Sequence, residues 1–240
     1  MELEDKIFKD NPNHSAKIGI VIFYPFQFYV FHNIYKNISA DAEYIIDLAV
    51  FFPVTQAAKA VENTIKLLKK YGCYYRLVYH EDYFVKNYLK YFFSRYEILV
   101  SLWNRGCITL DINSNKKKVV LPYGAGKDIT KFGLWKRNFD LILSYGERDH
   151  NIYSLLSKSV IVGNPKFDSW FNNEFDQDFL SEIKRKSDPA KKTILYLPTH
   201  SDLCSIDALA HQLSKMAKNY NVLVKLHYYN THEEQVRVDK

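Results

Sequence analysis

Lys17-Ile-Gly-Ile-Val-Ile-Phe-Tyr24 is a short, nearly continuous apolar run, rich in β-branched side chains and closed by Pro25. A strand with one wet face alternates polar and apolar residues. An unbroken run of this length belongs to a strand covered on both faces, as in a parallel sheet. After it, Val30, Ile34 and Ile38, with Phe31 and Tyr35, have helical spacing over residues 27–38, and residues 44–49 return to a strand. Over residues 55–71, Ala57, Val61, Ile65 and Leu68 share one helical face, lysines fill the last turn, and Gly72 is the expected C-cap. Strands are expected at 74–79, 97–103, 118–121, 139–145 and 159–162, with helices around 84–93 and 149–156. This alternation predicts right-handed βαβ units and therefore a Rossmann-like, doubly wound α/β sheet. The first strand carries a single glycine, Gly19, and no GxGxxG follows it. The dinucleotide fingerprint is absent, which argues against hydride transfer.

Between residues 171 and 190 the composition turns polar and charged, ending in Lys184-Arg-Lys-Ser-Asp-Pro-Ala190. That is the expected connection between two domains. A second α/β unit follows. It has a strand at 193–197, an amphipathic helix through Ile206, Leu209, Ala210, Leu213, Met216 and Ala217 with Ser205 as N-cap, and a strand at 222–226. The expected organisation is a Rossmann-like domain over 1–170, a linker over 171–190 and a partial second domain over 191–240. One βαβ unit is too little to close a sheet, so the chain reads as truncated.

The 240 residues are 47% apolar and 25% charged, ordinary globular usage, with 19 Tyr and 16 Phe as the departure. The net charge of +6 is spread thinly apart from Lys116, Lys117 and Lys118, so no nucleic-acid partner is required. It suits an anionic phosphate ligand or an anionic membrane surface equally. Cys73, Cys107 and Cys204 are far apart and form no CxxC, which implies neither a disulfide framework nor a thiolate metal site and fits a reducing cytoplasm. The acidic start, Met-Glu-Leu-Glu-Asp, is unlike a signal peptide. The longest apolar stretch is broken by Pro25 and Gln27 and falls short of the roughly 20 residues that span a bilayer. A soluble or peripheral protein is expected.

Three clusters could carry chemistry. Leu121-Pro-Tyr-Gly-Ala-Gly-Lys-Asp128 follows a strand and offers Gly124, Gly126 and Lys127 to phosphate oxygens. It is not a Walker A loop, because Asp128 stands where Ser or Thr is needed. The same residues also suit a plain turn. Tyr196-Leu-Pro-Thr-His-Ser-Asp202 leaves another strand, at the end where open α/β sheets bind ligands, and Thr199, His200, Ser201 and Asp202 could contact a ligand or cap the next helix. In Val224-Lys-Leu-His-Tyr228, His227 leaves a third strand. His200 and His227 thus end the first two strands of one sheet and could face one crevice, where a nucleotide donor would sit between two Rossmann-like domains. His227 and His232 lack the HExxH spacing and a third ligand, and no GxSxG elbow exists, so no metal, no cofactor and no serine triad is expected.

In order along the chain stand Tyr123-Gly-Ala-Gly-Lys127, Leu143-Ser-Tyr-Gly-Glu147, Val162-Gly-Asn-Pro-Lys-Phe-Asp168, Ile194-Leu-Tyr-Leu-Pro-Thr199 with Asp202, and Val224-Lys-Leu-His227. This series resembles the CDP-glycerol glycerophosphotransferase family over roughly residues 16–232. The resemblance implies a GT-B-like fold with two Rossmann-like domains, the second truncated here. It also implies a CDP-glycerol or similar donor, and a polyol-phosphate or glycan acceptor in teichoic acid or capsule synthesis at the cytoplasmic membrane face. It assigns catalysis to His227 and to position 123, and substrate contacts to Gly124, Gly126, Lys127, Asn164, Thr199, His200, Ser201 and Asp202. The family's N-domain histidine is replaced by Tyr123, whose phenol, with a pKa near 10, is a poorer base at neutral pH than an imidazole near 6.5. Two other readings stand beside this one. The first is a GT-B glycosyltransferase or nucleotide-sugar epimerase; the second is a noncatalytic remnant that binds a partner or membrane.

Overall fold

Ile20 and Ile22 pack on one side of the first strand and Val21 on the other, and both sides are buried, as the apolar run requires. The computed structural model describes residues 16–22, 24–48, 54–79, 95–102, 115–122, 132–199 and 203–227. The chain divides into two compact units, Met1–Asn173 and Glu174–Lys240.

The first unit runs β1 (Ile18–Ile22), α1 (Pro25–Ile38), β2 (Ala42–Leu48), α2 (Val54–Lys70), β3 (Tyr75–Tyr79), β4 (Ile98–Ser101), β5 (Lys117–Val120), β6 (Leu141–Ser144), α3 (Glu147–Tyr153), β7 (Ser159–Ile161) and α4 (Asp168–Phe171). The seven strands form one parallel sheet in the order β3-β2-β1-β4-β5-β6-β7. This is the doubly wound sheet expected from the alternation of elements. The helix expected at 84–93 lies outside the described residues.

Each face of the sheet has its own core. On one, Ile20, Ile22, Tyr44, Ile46, Leu77, Leu102 and Leu121 meet Phe28, Phe31 and Tyr35 of α1 and Leu68 of α2. On the other, Val21, Ile45, Leu99, Val120 and Ile142 meet Tyr96, Phe139 and Tyr153 of α3. Gly19 lies in the second core. A Cβ there would stand 2.8 Å from Ile45 Cδ1 and 3.0 Å from both Leu99 Cδ2 and the Tyr96 ring. The glycine is thus required by close approach across the strand.

Beside it, at the amino-terminal side of the sheet, a charged group is buried. Arg76 Nε donates to Glu43 Oε1 at 2.5 Å, and the Tyr96 hydroxyl donates to the same oxygen. The three residues are almost fully enclosed, so carboxylate and guanidinium are tolerated only as a pair. The C-terminus of α2 is built as expected. Gly72 has φ +63, its N–H donates to Lys69 O at 3.1 Å, and Cys73 N–H donates to Leu68 O at 2.8 Å. That pair of bonds is the Schellman arrangement.

The second unit contains α5 (Gln177–Lys186), β8 (Lys192–Tyr196), α6 (Ile206–Met216) and β9 (Tyr220–Val224), with β8 and β9 parallel. The polar stretch 171–190 holds a helix, α5, whose N-cap Asp176 accepts from Phe179 N at 3.0 Å. Ser205 is the N-cap of α6, as expected, but its hydroxyl makes no cap bond and lies 2.7 Å from the Tyr196 hydroxyl.

Candidate functional site

In a parallel sheet every strand delivers its following loop to the same edge. Neighbouring strands are about 4.8 Å apart. The order changes direction at β1, which has β2 on one side and β4 on the other. The crevice outside the carboxyl ends of β1 and β4 is therefore where such a sheet receives a ligand.

The turn from β1 into α1 borders that position. Pro25 opens the helix with its φ already helical and no N–H to satisfy. Gln27, fully buried, accepts from Tyr24 N at 3.1 Å through its side-chain oxygen, and Gln27 N donates to Tyr24 O at 3.0 Å. The Tyr24 and Phe26 rings stack at 5.7 Å between centroids. Ser101 ends β4 in a buried position.

One strand further, Leu121 N donates to Ser101 O at 3.0 Å and Pro122 is buried, so Tyr123-Gly-Ala-Gly-Lys127 departs from the carboxyl end of β5. β5 itself lies two strands, about 10 Å, from β1 along the edge. Tyr123, Gly124, Gly126 and Lys127 themselves lie outside the described residues. After that loop, Lys136 is fully buried with its Nζ 3.9 Å from the Trp135 ring centroid and 5.2 Å from that of Tyr153. Two aromatic faces hold its charge.

At the end of β7, Gly163 adopts φ +72, a conformation glycine enters without strain. Asn164, half-buried, caps the short helical turn Pro165–Phe167 by accepting from Lys166 N at 3.3 Å. The turn is tied to α1. Asn33 Nδ2 donates to Pro165 O at 2.9 Å, and Ser169 Oγ donates to Asn33 Oδ1 at 3.3 Å. Asn164 is legible in the sequence motif, whereas Asn33 and Ser169 are not. Nothing local signals a bond between residues so distant in the chain.

In the second unit, β8 and β9 pair with Tyr196 opposite Val224, and Lys225 N donates to Tyr196 O at 3.0 Å. Thr199 and His227 each lie three residues beyond that registered pair, at the same carboxyl end. Thr199 is exposed and donates its hydroxyl to Leu203 O, bridging 200–202. His227 is half-buried. His200, Ser201 and Asp202 lie outside the described residues. Among the described residues no group of His, Cys, Asp and Glu could hold a metal ion, and no helix is long and apolar enough to cross a membrane.

Comparison with known proteins adds two findings. Residues 31–240 match the family model described as CDP-glycerol:poly(glycerophosphate) glycerophosphotransferase. Among solved structures, the chain is similar to Anabaena HepE, crystallised in complex with UDP and glucose. The TM-score is 0.54 and the identity 8%, with 88% of this chain and 69% of that chain covered. At that identity the likeness is one of fold, and the fold is GT-B-like. No curated protein sequence matches the chain significantly.

Proposed function

Since this chain belongs to the CDP-glycerol:poly(glycerophosphate) glycerophosphotransferase family and is a transferase by that membership, we propose that its reaction moves glycerol phosphate from a CDP-activated donor to a polyol-phosphate acceptor. The observation that carries the reading is the family match over residues 31–240, which takes in every motif from Tyr123 to His227. Its support in the geometry is that the described chain enters or leaves these motifs at carboxyl ends of parallel strands.

In the proposed reaction an acceptor hydroxyl attacks the β-phosphorus of CDP-glycerol. A new P–O bond forms, the bond to CMP breaks, and the hydroxyl proton passes to a base. The backbone N–H groups of Gly124 and Gly126 and the ammonium of Lys127 neutralise phosphate charge in the first unit. His227, with Thr199, His200, Ser201 and Asp202, receives the donor in the second. Asn164 offers amide donors to the acceptor phosphate. At the base position Tyr123 replaces imidazole with phenol, which slows transfer near neutral pH. The domain division proposed is 1–170 for the acceptor, 191–240 for the donor and 171–190 as the connection. An acceptor at the cytoplasmic face of a membrane would bring this protein to that surface as a peripheral guest.

Isothermal titration of the chain with CDP-glycerol, CMP and UDP-glucose, beside His227→Ala, tests the reading. Binding of the cytidine ligands, weakened at least tenfold in the variant, is the expected result. Binding of UDP-glucose alone would transfer the fold to sugar chemistry. Silence toward every nucleotide would leave a binding module without catalysis.

A further inference from the structure

The turn carrying Asn164 is positioned from far along the chain. β7 closes one side of the described sheet, with β6, β5 and β4 between it and β1. At about 4.8 Å per strand that is roughly 19 Å of sheet. Yet the residues after β7 do not stay beside it. Pro165 is buried and its carbonyl is held by α1, the helix that follows β1.

A single amide makes the attachment in both directions. Asn33 Nδ2 donates to Pro165 O at 2.9 Å while Asn33 Oδ1 accepts from Ser169 Oγ at 3.3 Å. Asn33 is itself fixed in α1, where its carbonyl accepts from Asn37 Nδ2 at 2.9 Å. Its amide therefore holds the first residue of the turn Pro165–Phe167 and, through Ser169, the first turn of α4. Between β7 and the grip stand Gly163, in the left-handed region, and Asn164, in extended backbone. The Asn164 side-chain oxygen is occupied by Lys166 N, and no described residue accepts from its Nδ2. What remains of Asn164 for an outside partner is a pair of N–H donors, suited to a phosphate oxygen.

We infer that Asn33 is a positioning residue for the transfer reaction: by holding Pro165 and Ser169 it fixes the turn that presents Asn164 to a phosphate-bearing acceptor. This rests on the glycerophosphotransferase reading. Asn33 touches no substrate; it acts through Asn164. Either half of the grip can be removed separately. Asn33→Asp keeps an acceptor for Ser169 and loses the donor to Pro165. Ser169→Ala does the reverse.

The experiment is steady-state transfer from CDP-glycerol to an oligo(glycerophosphate) primer, using the full chain, with Asn33→Ala, Asn33→Asp, Ser169→Ala, Asn164→Ala and the Asn33→Ala/Asn164→Ala double variant. Thermal unfolding of each is recorded alongside. Asn33→Ala is expected to raise the primer KM on the order of tenfold with little change in kcat, and the single-bond variants to raise it less. The double variant should be no worse than Asn164→Ala alone, because the two residues act in series. A primer KM unchanged in Asn33→Ala, whatever its melting temperature, would overturn the inference. So would effects of the two alanine variants that multiply. In both outcomes wild-type turnover stands, and only the role of Asn33 falls. A wild-type chain that neither transfers from nor binds CDP-glycerol would remove the proposed reaction, and this inference with it.

Discussion

Gly19 shows how much one absent atom can decide. Its Cβ would come closer to Ile45 than real Cβ atoms come, and would crowd Leu99 and Tyr96 as well. Gly19→Ala is expected to destabilise the first unit by about 1–3 kcal/mol through overpacking, read as a lower urea midpoint at unchanged slope. In the sequence this glycine, being alone, excludes a dinucleotide loop and says nothing of packing. Its packing role depends on Tyr96, which is close only after β1 and β4 pair. Glu43 and Arg76 were equally illegible, because apolar periodicity has no place for a charge inside a strand and their pairing crosses from β2 to β3. Titration behaves similarly. Burial raises the Tyr35 hydroxyl from near 10 to about 12, against the opposing donation from Tyr74 N, and burial raises the Cys73 thiol from near 9 to about 12. In each case the fold holds the proton more tightly than the unfolded chain does. Stability is therefore full below pH 9 and is lost as pH climbs toward 12. Urea midpoints should fall across that window, with a smaller fall in Cys73→Ala; identical profiles for the two proteins would contradict the assignment.

At the scale of elements, local signals were read well and remote ones poorly. The end of α2 at Gly72 follows from the sequence alone, since only glycine takes φ +63 cheaply and lysines precede it. The start of α6 at Ser205 was legible too, but the partner of its hydroxyl was not, because that group is drawn to Tyr196, nine positions away in sequence and adjacent in space. The same holds for the chain entering β8. Asn221 on β9 accepts from Asp188 N at 2.9 Å and donates to Asp188 O at 2.8 Å and Lys191 O at 3.2 Å. A stretch that looks like an undirected connection is thereby anchored to a strand. Asn221→Ala should cost about 0.5–1.5 kcal/mol in the second unit, since the bonds it loses are mostly exposed and water takes over the freed backbone groups. Amide exchange at Asp188 is the direct readout, and unchanged protection there would count against the anchor.

For the whole molecule, the alternation of strands and helices gave the parallel doubly wound sheet, but not the order in which its strands lie. Order is a matter of which pairs form across long separations, and β1 pairs with β4 across almost eighty residues of chain. The candidate site was legible as a set of loops after strands; its relation to α1 through Asn33 was not. The two units also differ in how much they enclose. The first buries β1, β2 and β4 between two cores. In the second, Ile206 is packed away while Leu195, Leu197 and Val224 stay exposed. Amides of β8 and β9 should accordingly exchange by opening at lower free energy than those of β1 and β2, which a hydrogen-exchange time course at fixed pH would resolve. Equal protection in both units would refute the difference.

Because β1 to β7 all run in one direction, the first unit gathers the loops that leave its strands at one end and those that enter them at the other. Loops that enter strands, such as Ser157–Lys158 ahead of β7, sit at the end away from the proposed site, with Phe139 O held by Ser157 Oγ at 2.6 Å. Anyone wishing to attach a fluorophore or an affinity handle within the chain has the choice made by strand polarity. A short flexible insert after Leu155, exposed and before that bond, should leave transfer to the primer untouched, whereas one after Pro122 should abolish it.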